Sequence, residues 1–238
     1  MPRVLIADQL SPAAEAIFRE RGLEVDIRVG LKKDELIAII GEYDGLAVRS
    51  ATKVTAEVLA AATRLKVVGR AGIGVDNIDV EAATQRGVVV MNTPFGNSIT
   101  TAEHAISLML ALARQIPAAD RSTRAGKWEK NRFMGVELTS KTLGLIGCGR
   151  IGQWMARYAT AFGMRVVGHD PYLPESEWPA TIERADLDTV LSSAHAVSIH
   201  VHLSDETRGL VRQREFGLMR PGTILINTSR GAICDEDA

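Results

Sequence analysis

A glycine-rich hexapeptide, Gly147-Cys148-Gly149-Arg150-Ile151-Gly152, has the residue types and the spacing that bind a dinucleotide phosphate. The first glycine permits a tight turn, the second lets the backbone approach a pyrophosphate, and the third lets a helix and a strand pack closely. A helix that begins at such a turn directs unpaired N–H groups and a partial positive charge toward the anion. An apolar run before the turn and an amphipathic segment after it favour dinucleotide binding over a purely structural glycine turn.

Asp170 is placed to select the cofactor. It lies 18 residues beyond Gly152 and follows a second apolar run, Val166 to Gly168. A carboxylate at the end of this strand can accept hydrogen bonds from both ribose hydroxyls and would repel a 2′-phosphate. No arginine lies in the next ten residues to neutralise that phosphate. The sequence therefore predicts NAD rather than NADP.

Three arginines stand at the ends of predicted strands, where an anionic substrate could bind. Arg49 and Arg70 end two N-terminal strands, and Arg230 ends the last one. Ligands of open α/β sheets bind outside the carboxyl ends of the strands, and the planar guanidinium can hold a carboxylate bidentately. Arg230 thus suits a carboxylate, while Arg49 and Arg70 could add charge for a phosphorylated acid. The alternative for each is a solvated surface arginine.

The histidines and cysteines predict neither a catalytic base nor a metal site. His200 and His202 alternate along one predicted strand without a third ligand, and His104 is expected to pack within an apolar helix. Cys148 and Cys234 are the only cysteines, which fits a reducing compartment better than a disulfide framework. Because the N-terminus also lacks a signal-peptide pattern, we expect a cytoplasmic protein.

The charge balance gives no support to binding of nucleic acid or of an anionic membrane. The chain has 28 basic and 29 acidic residues and a net charge of −1, whereas both partners favour a basic excess. No apolar run approaches the roughly 20 residues that span a bilayer. The expected partner is a small molecule.

The elements that must position these residues alternate as strand and helix, which predicts α/β architecture with parallel sheets. Two doubly wound domains are expected, a flavodoxin-like domain over residues 1–95 and a Rossmann domain over residues 96–238, separated near the loop 93–98. Only four secure strands are predicted in the second domain, where about six are usual. We therefore expect it to be incomplete at its C-terminal end.

Residues 99–138 connect the two predicted sheets and differ from both. The helix expected over 99–115 is apolar almost all round, which predicts burial on most sides, between domains or between subunits. The polar and basic segment 117–138 is predicted to project as an arm or loop. Together they predict a homodimer or a higher homo-oligomer.

Nine stretches, in order over nearly the whole chain, resemble the D-isomer-specific 2-hydroxyacid dehydrogenases. They are VRSATKVT (48–55), VVGRAGIGVDNID (67–79), VMNTPFGNS (90–98), ALARQIP (111–117), GKW (126–128), RFMGVEL (132–138), KTLGLIGCGRIG (141–152), DPY (170–172) and NTSRGAICDE (227–236). The resemblance implies a substrate-binding domain followed by a NAD-binding domain. It also implies NAD-linked oxidation of a D-2-hydroxy acid, with 3-phosphoglycerate and its oxidation to 3-phosphohydroxypyruvate in serine biosynthesis as the expected reaction. A glyoxylate or hydroxypyruvate reductase is one alternative, and a non-catalytic NAD-sensing corepressor on the same scaffold is another.

The same resemblance implies roles for individual residues. Arg230 matches the catalytic arginine that binds the substrate carboxylate and carbonyl. The implied cofactor contacts are Ile73, Gly147, Gly149, Arg150, Ile151, Gly152, Asp170, Val201, Thr228 and Ser229. The implied substrate contacts are Arg49, Arg70, Gly72, Gly74 and Asn97. Two positions depart from the family pattern: Ile73 is a hydroxyl residue in some relatives, and His202 replaces a common proline.

The family's catalytic glutamate and histidine would follow residue 238. We therefore expect residues 1–238 alone to bind NAD weakly and to show no useful turnover.

Overall fold

The computed structural model describes all 238 residues, which form two compact units, Met1–Asn97 and Ser98–Ala238. Each unit contains one five-stranded parallel sheet with helices between its strands. The predicted α/β class with two parallel-sheet units is confirmed.

The first unit has the strand order β2-β1-β3-β4-β5, which is the flavodoxin-like order. Its strands are β1 (Arg3–Ile6), β2 (Glu24–Ile27), β3 (Gly45–Val48), β4 (Val67–Arg70) and β5 (Val89–Asn92). The connecting helices are α1 (Pro12–Glu20), α2 (Lys33–Ile40), α3 (Ala56–Ala61) and α4 (Val80–Gln85). The central strand β3 is buried along its whole length, as expected for a sheet covered on both faces.

Local sequence signals set the ends of α1. The Ser11 side chain accepts a hydrogen bond from the Ala13 N–H, and Pro12 occupies the first turn, where its missing N–H costs nothing. Gly22, at a φ of +75°, follows the helix in the left-handed conformation that ends many helices. These signals aim the loop before α1 toward the carboxyl end of β1.

The second unit has the strand order β10-β9-β6-β7-β8. Its strands are β6 (Thr142–Ile146), β7 (Arg165–His169), β8 (Glu183–Arg184), β9 (Ala196–Ile199) and β10 (Ile224–Asn227). Its helices are α5 (Ser98–Ala113), α6 (Ile116–Arg124), α7 (Arg150–Ala161), α8 (Leu187–Ser193) and α9 (Gln213–Leu218). The chain builds β6, β7 and β8 in one direction and then returns to β9 on the other side of β6. This reversal creates the crevice in which open α/β sheets bind ligands.

Several local predictions for the second unit were wrong. The segment predicted as an arm or loop begins with α6, because Gln115 takes a left-handed φ of 53° and Pro117 starts a new helix in the following turn. A fifth strand, β8, is only two residues long and was not predicted. The segment between β9 and β10 contains α9, which was not predicted and whose first turn is closed by a hydrogen bond from the Arg212 N–H to the Glu215 carboxylate.

Within a single chain, only one face of α5 is buried. Ala105, Ile106 and Met109 pack into the unit, whereas Leu108 and Leu112 are exposed. His104 is also exposed, so its predicted packing role was wrong. None of the helices combines the length and the apolar character needed to cross a bilayer.

Candidate active site

The glycine-rich turn lies at the carboxyl end of β6, and its three glycines have different surroundings. Gly147 has a φ of +95°, and a Cβ there would lie 2.8 Å from the carbonyl carbon of His200. A Cβ on Gly152 would lie 2.3 Å from the Gly147 oxygen, so these two positions accept only glycine. A Cβ on Gly149 would meet nothing within 4 Å. Open space therefore lies beside Gly149 at the start of α7, and the turn fits the close approach of a pyrophosphate.

Asp170 joins the loop after β7 to the glycine-rich turn. Its Oδ2 accepts a hydrogen bond from the Cys148 N–H at 3.0 Å. Its Oδ1 accepts from the N–H groups of Tyr172 and Leu173 at 3.0 and 3.2 Å. A carboxylate offers about four acceptor positions, so about one is left for a ribose hydroxyl. The sequence alone predicts hydrogen bonds from both ribose hydroxyls to this carboxylate.

The end of β9 borders the glycine-rich turn on its other side. Burial lowers the pKa of His200 to about 4, so the ring is neutral at pH 7. One ring nitrogen, Nε2, hydrogen-bonds to Ser198 Oγ at 2.9 Å, while Nδ1 is buried without a partner. Val201, the next residue, is half-buried, and His202 is exposed. His200 therefore packs against the glycine-rich turn and supports it.

The end of β10 is a turn held together by an asparagine that the sequence reasoning missed. Asn227 Oδ1 accepts from the Ser229 N–H at 3.0 Å, and its Nδ2 donates to the Arg230 carbonyl oxygen at 2.9 Å. Ser229 Oγ donates to the Ile199 oxygen at 3.1 Å, and Thr228 Oγ1 is buried without a partner. These contacts fix Thr228, Ser229 and Arg230 at the carboxyl end of β10.

The first unit has a cavity of about 480 Å³ beside the carboxyl ends of β1, β3 and β4. It is lined by Gln9, Leu10, Ser11, Arg49, Ala71, Gly72, Thr93, Gly96 and Asn97. Asp8 organises the cavity wall, because its buried carboxylate accepts hydrogen bonds from the Arg49 N–H at 2.6 Å and from Thr52 Oγ1 at 2.7 Å. Asp8 and Thr52 were not singled out from the sequence, although an acid directly after a buried strand is a recognisable signal.

Arg70 lies beneath the loop that forms one side of this cavity. The residue is 7% exposed, its Nε is buried without a partner, and it forms no ion pair. A Cβ on Gly72 would lie 2.5 Å from Arg70 Nη1, so the guanidinium packs directly against this glycine. Burying an arginine without an anion is unfavourable, which makes this a place where a bound anion would stabilise the protein.

Asparagine side chains fix the loop 71–77. Asn77 Nδ2 donates to the carbonyl oxygens of Arg49 and Thr52, both at 2.7 Å. Asn92 Nδ2 donates to the Ile73 oxygen at 2.6 Å. Ile73 and Gly74 are half-buried in this loop. The loop that the resemblance associates with substrate is thus held by β3 and β5 together.

The structure gathers the predicted residues into two groups, one in each unit. Arg49, Gly72 and Asn97 line one cavity, with Arg70, Ile73 and Gly74 in the adjoining strand and loop. In the second unit, the predicted residues lie at the carboxyl ends of its strands: Gly147, Gly149, Arg150, Ile151, Gly152, Asp170, Val201, Thr228, Ser229 and Arg230.

Two curated relatives and two solved structures are similar to nearly the whole chain. The chain is 48% identical over 237 residues to a protein of Archaeoglobus fulgidus named D-3-phosphoglycerate dehydrogenase, covering 99% of this chain and 45% of that protein. The human protein of the same name is 45% identical over 237 residues, covering 99% and 44% of the two chains. The TT0316 protein of Thermus thermophilus superposes with a TM-score of 0.91 at 38% identity, covering 99% of this chain and 76% of that one. The chain thus spans less than half the length of these two curated relatives.

A structure of D-lactate dehydrogenase from Aquifex aeolicus, in complex with NAD and lactic acid, superposes with a TM-score of 0.85 at 26% identity and covers 99% and 71% of the two chains. Residues 106–238 match the family description "D-isomer specific 2-hydroxyacid dehydrogenase, NAD binding domain". This match covers the glycine-rich turn, Asp170 and the end of β10. The chain therefore belongs to the D-isomer specific 2-hydroxyacid dehydrogenases, and its second unit contains the NAD-binding domain of that family.

Proposed function

We propose that this chain carries the substrate-binding and NAD-binding parts of a D-3-phosphoglycerate dehydrogenase of serine biosynthesis. The reaction oxidises D-3-phosphoglycerate to 3-phosphohydroxypyruvate. The observation that carries the proposal is the buried Arg70 beside the cavity of the first unit, which has an Nε without a partner and forms no ion pair. The names of relatives that are 45 to 48% identical support the same substrate.

The substrate carries two anionic groups, a carboxylate and a phosphate. The first unit contains two arginines, Arg49 and Arg70, that could bind one of them. Arg49 lines a cavity of about 480 Å³, large enough for a three-carbon phosphorylated acid. Arg70 packs behind the cavity wall, against the lining residue Gly72, and forms no ion pair within the chain. We assign Arg49 and Arg70 to the substrate phosphate, with Gly72, Gly74 and Asn97 as further substrate contacts. Residues 1–97 are then the substrate-binding domain.

Residues of the second unit have separate tasks in this proposal. Gly147, Gly149, Arg150, Ile151 and Gly152 form the pyrophosphate turn at the start of α7, and Asp170 accepts from the ribose. Val201, Thr228 and Ser229 contact the cofactor nearer its nicotinamide. The family resemblance assigns Ile73 a further cofactor contact. When bound, NAD supplies the hydride acceptor.

Arg230 has the catalytic role in this proposal. Its guanidinium holds the substrate carboxylate and polarises the carbonyl that forms as the hydroxyl is oxidised. The Asn227 contacts that fix the turn would orient it. The neutral, enclosed His200 has its Nε2 hydrogen-bonded to Ser198 and supports the turn, so it does not serve as the base.

We further propose a cytoplasmic homodimer that forms through residues 98–134 of the second unit. Large apolar side chains are exposed along this segment: Ile99, Leu108, Leu112, Ile116, Trp128 and Met134. Exposed large apolar side chains are typical of subunit interfaces. Both cysteines are free, which agrees with a reducing compartment.

The test measures steady-state kinetics of the full-length protein with D-3-phosphoglycerate and with D-glycerate, which lacks the phosphate. We expect Arg70→Met to raise KM for D-3-phosphoglycerate at least about tenfold, because one charge-assisted hydrogen bond is lost. The KM for D-glycerate should change little. Arg230→Gln should lower kcat/KM for both substrates. Arg86→Met is the control, because the Arg86 guanidinium donates to the Ala60 carbonyl and the residue does not line the cavity.

Three outcomes would contradict the proposal or part of it. Faster turnover of glyoxylate or hydroxypyruvate than of the phosphorylated substrate would favour a reductase. NAD binding without turnover of any of these acids would favour a regulatory protein. An unchanged KM for D-3-phosphoglycerate in Arg70→Met would exclude the assigned phosphate contact.

A further inference from the structure

A second cavity lies at the amino-terminal edge of the sheet in the second unit, the edge opposite the glycine-rich turn. Lys141 directly precedes β6, His195 precedes β9, and the turn Arg220–Thr223 precedes β10. These three strands are neighbours and parallel, so the residues before them meet at one edge. The cavity measures about 190 Å³. It is separated from the cofactor turn by the length of β6, which is roughly 16 Å for five residues.

Three nitrogen-bearing side chains line this cavity, and no carboxylate does. Neither Lys141 nor Arg220 takes part in an ion pair. Burial of the His195 ring lowers its pKa, and the charges of Arg220 and Lys141 lower it further. Both cations line the same cavity as the imidazole and form no ion pair within the chain.

His195 is held in one tautomer. Its Nδ1 accepts a hydrogen bond from the Thr142 N–H at 3.1 Å, so the proton of the neutral ring lies on Nε2. The His195 N–H also donates to the Thr142 oxygen at 2.9 Å, and its carbonyl oxygen accepts from the Ile224 N–H at 3.1 Å. The residue is fixed to both neighbouring strands. Nε2–H is therefore a preorganised donor on a residue that lines the cavity together with Lys141 and Arg220.

The remaining wall of the cavity is apolar. Val136, Leu138, Met164 and Ile224 contribute aliphatic side chains, of which Leu138 and Met164 are buried. The volume lies below the roughly 300 Å³ at which pockets accept drug-sized ligands. A ligand of this cavity must be small and must combine an anionic end with a short apolar end.

We infer that this cavity is a binding site for a small organic carboxylate, distinct from the substrate and cofactor sites. Arg220, Lys141 and His195 Nε2 hold the carboxylate oxygens, and the short aliphatic end lies against Leu138 and Met164. The strands β6, β9 and β10 begin at this cavity and end at the glycine-rich turn and at Arg230. A carboxylate bound in the cavity would therefore stabilise the sheet that carries the turn and Arg230. The inference does not depend on the proposed substrate.

The test observes the Met164 methyl group in the full-length protein. Methionine methyl groups are labelled with ¹³C, the Met164 resonance is assigned from the Met164→Leu variant, and sodium butanoate is titrated against sodium chloride at matched ionic strength. We expect a saturable shift of the Met164 methyl with butanoate only. Arg220→Gln and Lys141→Gln should each raise the apparent Kd for butanoate at least about tenfold.

Arg21→Gln is the matched control, because Arg21 is an exposed arginine of the first unit without an ion pair, and it should bind butanoate as wild type does. A shift that chloride reproduces, or wild-type affinity in both cavity variants, would overturn the inference. Inorganic phosphate is titrated separately. Tighter binding of phosphate than of butanoate would show that the apolar wall has no role and would overturn the assignment to a carboxylate.

Discussion

The glycine-rich turn offers two identical substitutions with opposite expected results. At Gly152, a Cβ would lie 2.3 Å from the Gly147 oxygen, whereas ordinary contact begins at 3.4 Å. The Gly147 oxygen must therefore move by about 1 Å. It has little freedom to do so, because Gly147 has a φ of +95° and packs closely against His200. Overpacking of this kind costs about 1 to 3 kcal/mol.

Gly149 is the opposite case. Its φ and ψ of −68° and −161° suit alanine, and a Cβ there would meet no protein atom within 4 Å. Gly149→Ala should leave the free energy of unfolding unchanged to within about 1 kcal/mol. Its methyl group would occupy the space that the pyrophosphate needs beside α7. We expect NAD affinity to fall at least about tenfold, equivalent to about 1.4 kcal/mol.

The assay pairs thermal unfolding with calorimetric titration of NAD for both variants. Gly152→Ala should lower Tm by roughly 2 to 12 °C, at about 2 to 4 °C per kcal/mol for a chain of this length. Gly217→Ala is the control, because a Cβ on this exposed α9 glycine also meets nothing within 4 Å. Gly217→Ala should change neither the affinity for NAD nor the cooperativity of thermal unfolding. Wild-type NAD affinity in Gly149→Ala would refute the assigned pyrophosphate position, and an unchanged Tm in Gly152→Ala would refute the packing argument.

Three further predictions concern pH, cofactor choice and assembly. Burial lowers the pKa of His200 from 6.5 to about 4. Between these pH values the unfolded chain binds more protons than the folded chain, so about 3 kcal/mol of folding stability should be lost as the pH falls through that range. His200→Gln should flatten this part of the pH profile in urea unfolding, and an equally steep profile in the variant would contradict the assignment. Asp170→Ala should narrow the preference for NAD over NADP in kcat/KM, because it removes the charge that repels a 2′-phosphate, and an unchanged ratio would exclude that role. Leu112→Glu should convert a dimer to a monomer by light scattering, since Leu112 is an apolar side chain that is 55% exposed on α5, and a monomeric wild type would exclude the interface.

Patterns within a few residues of one another determined much of this protein. The order of strand, glycine turn, helix and acid from Thr142 to Asp170 predicted the cofactor unit, because each feature depends on local backbone geometry. Ser11, Pro12 and Gly22 marked the ends of α1 for the same reason. The nine stretches of resemblance indicated the family before any contact was known.

Tertiary structure decided how polar groups are shared and which side chains are buried. The Asp8 carboxylate meets the Arg49 N–H across 41 residues of sequence, and Asp170 gives one acceptor position to Cys148, 22 residues away. Periodicity cannot predict such pairs, because they depend on which strands become neighbours. The burial of Arg70 without a partner likewise follows from the fold of the loop over it. The sequence by itself thus placed the chemical groups at the strand ends, and only the packing of distant strands decided which of those groups remain available to a ligand.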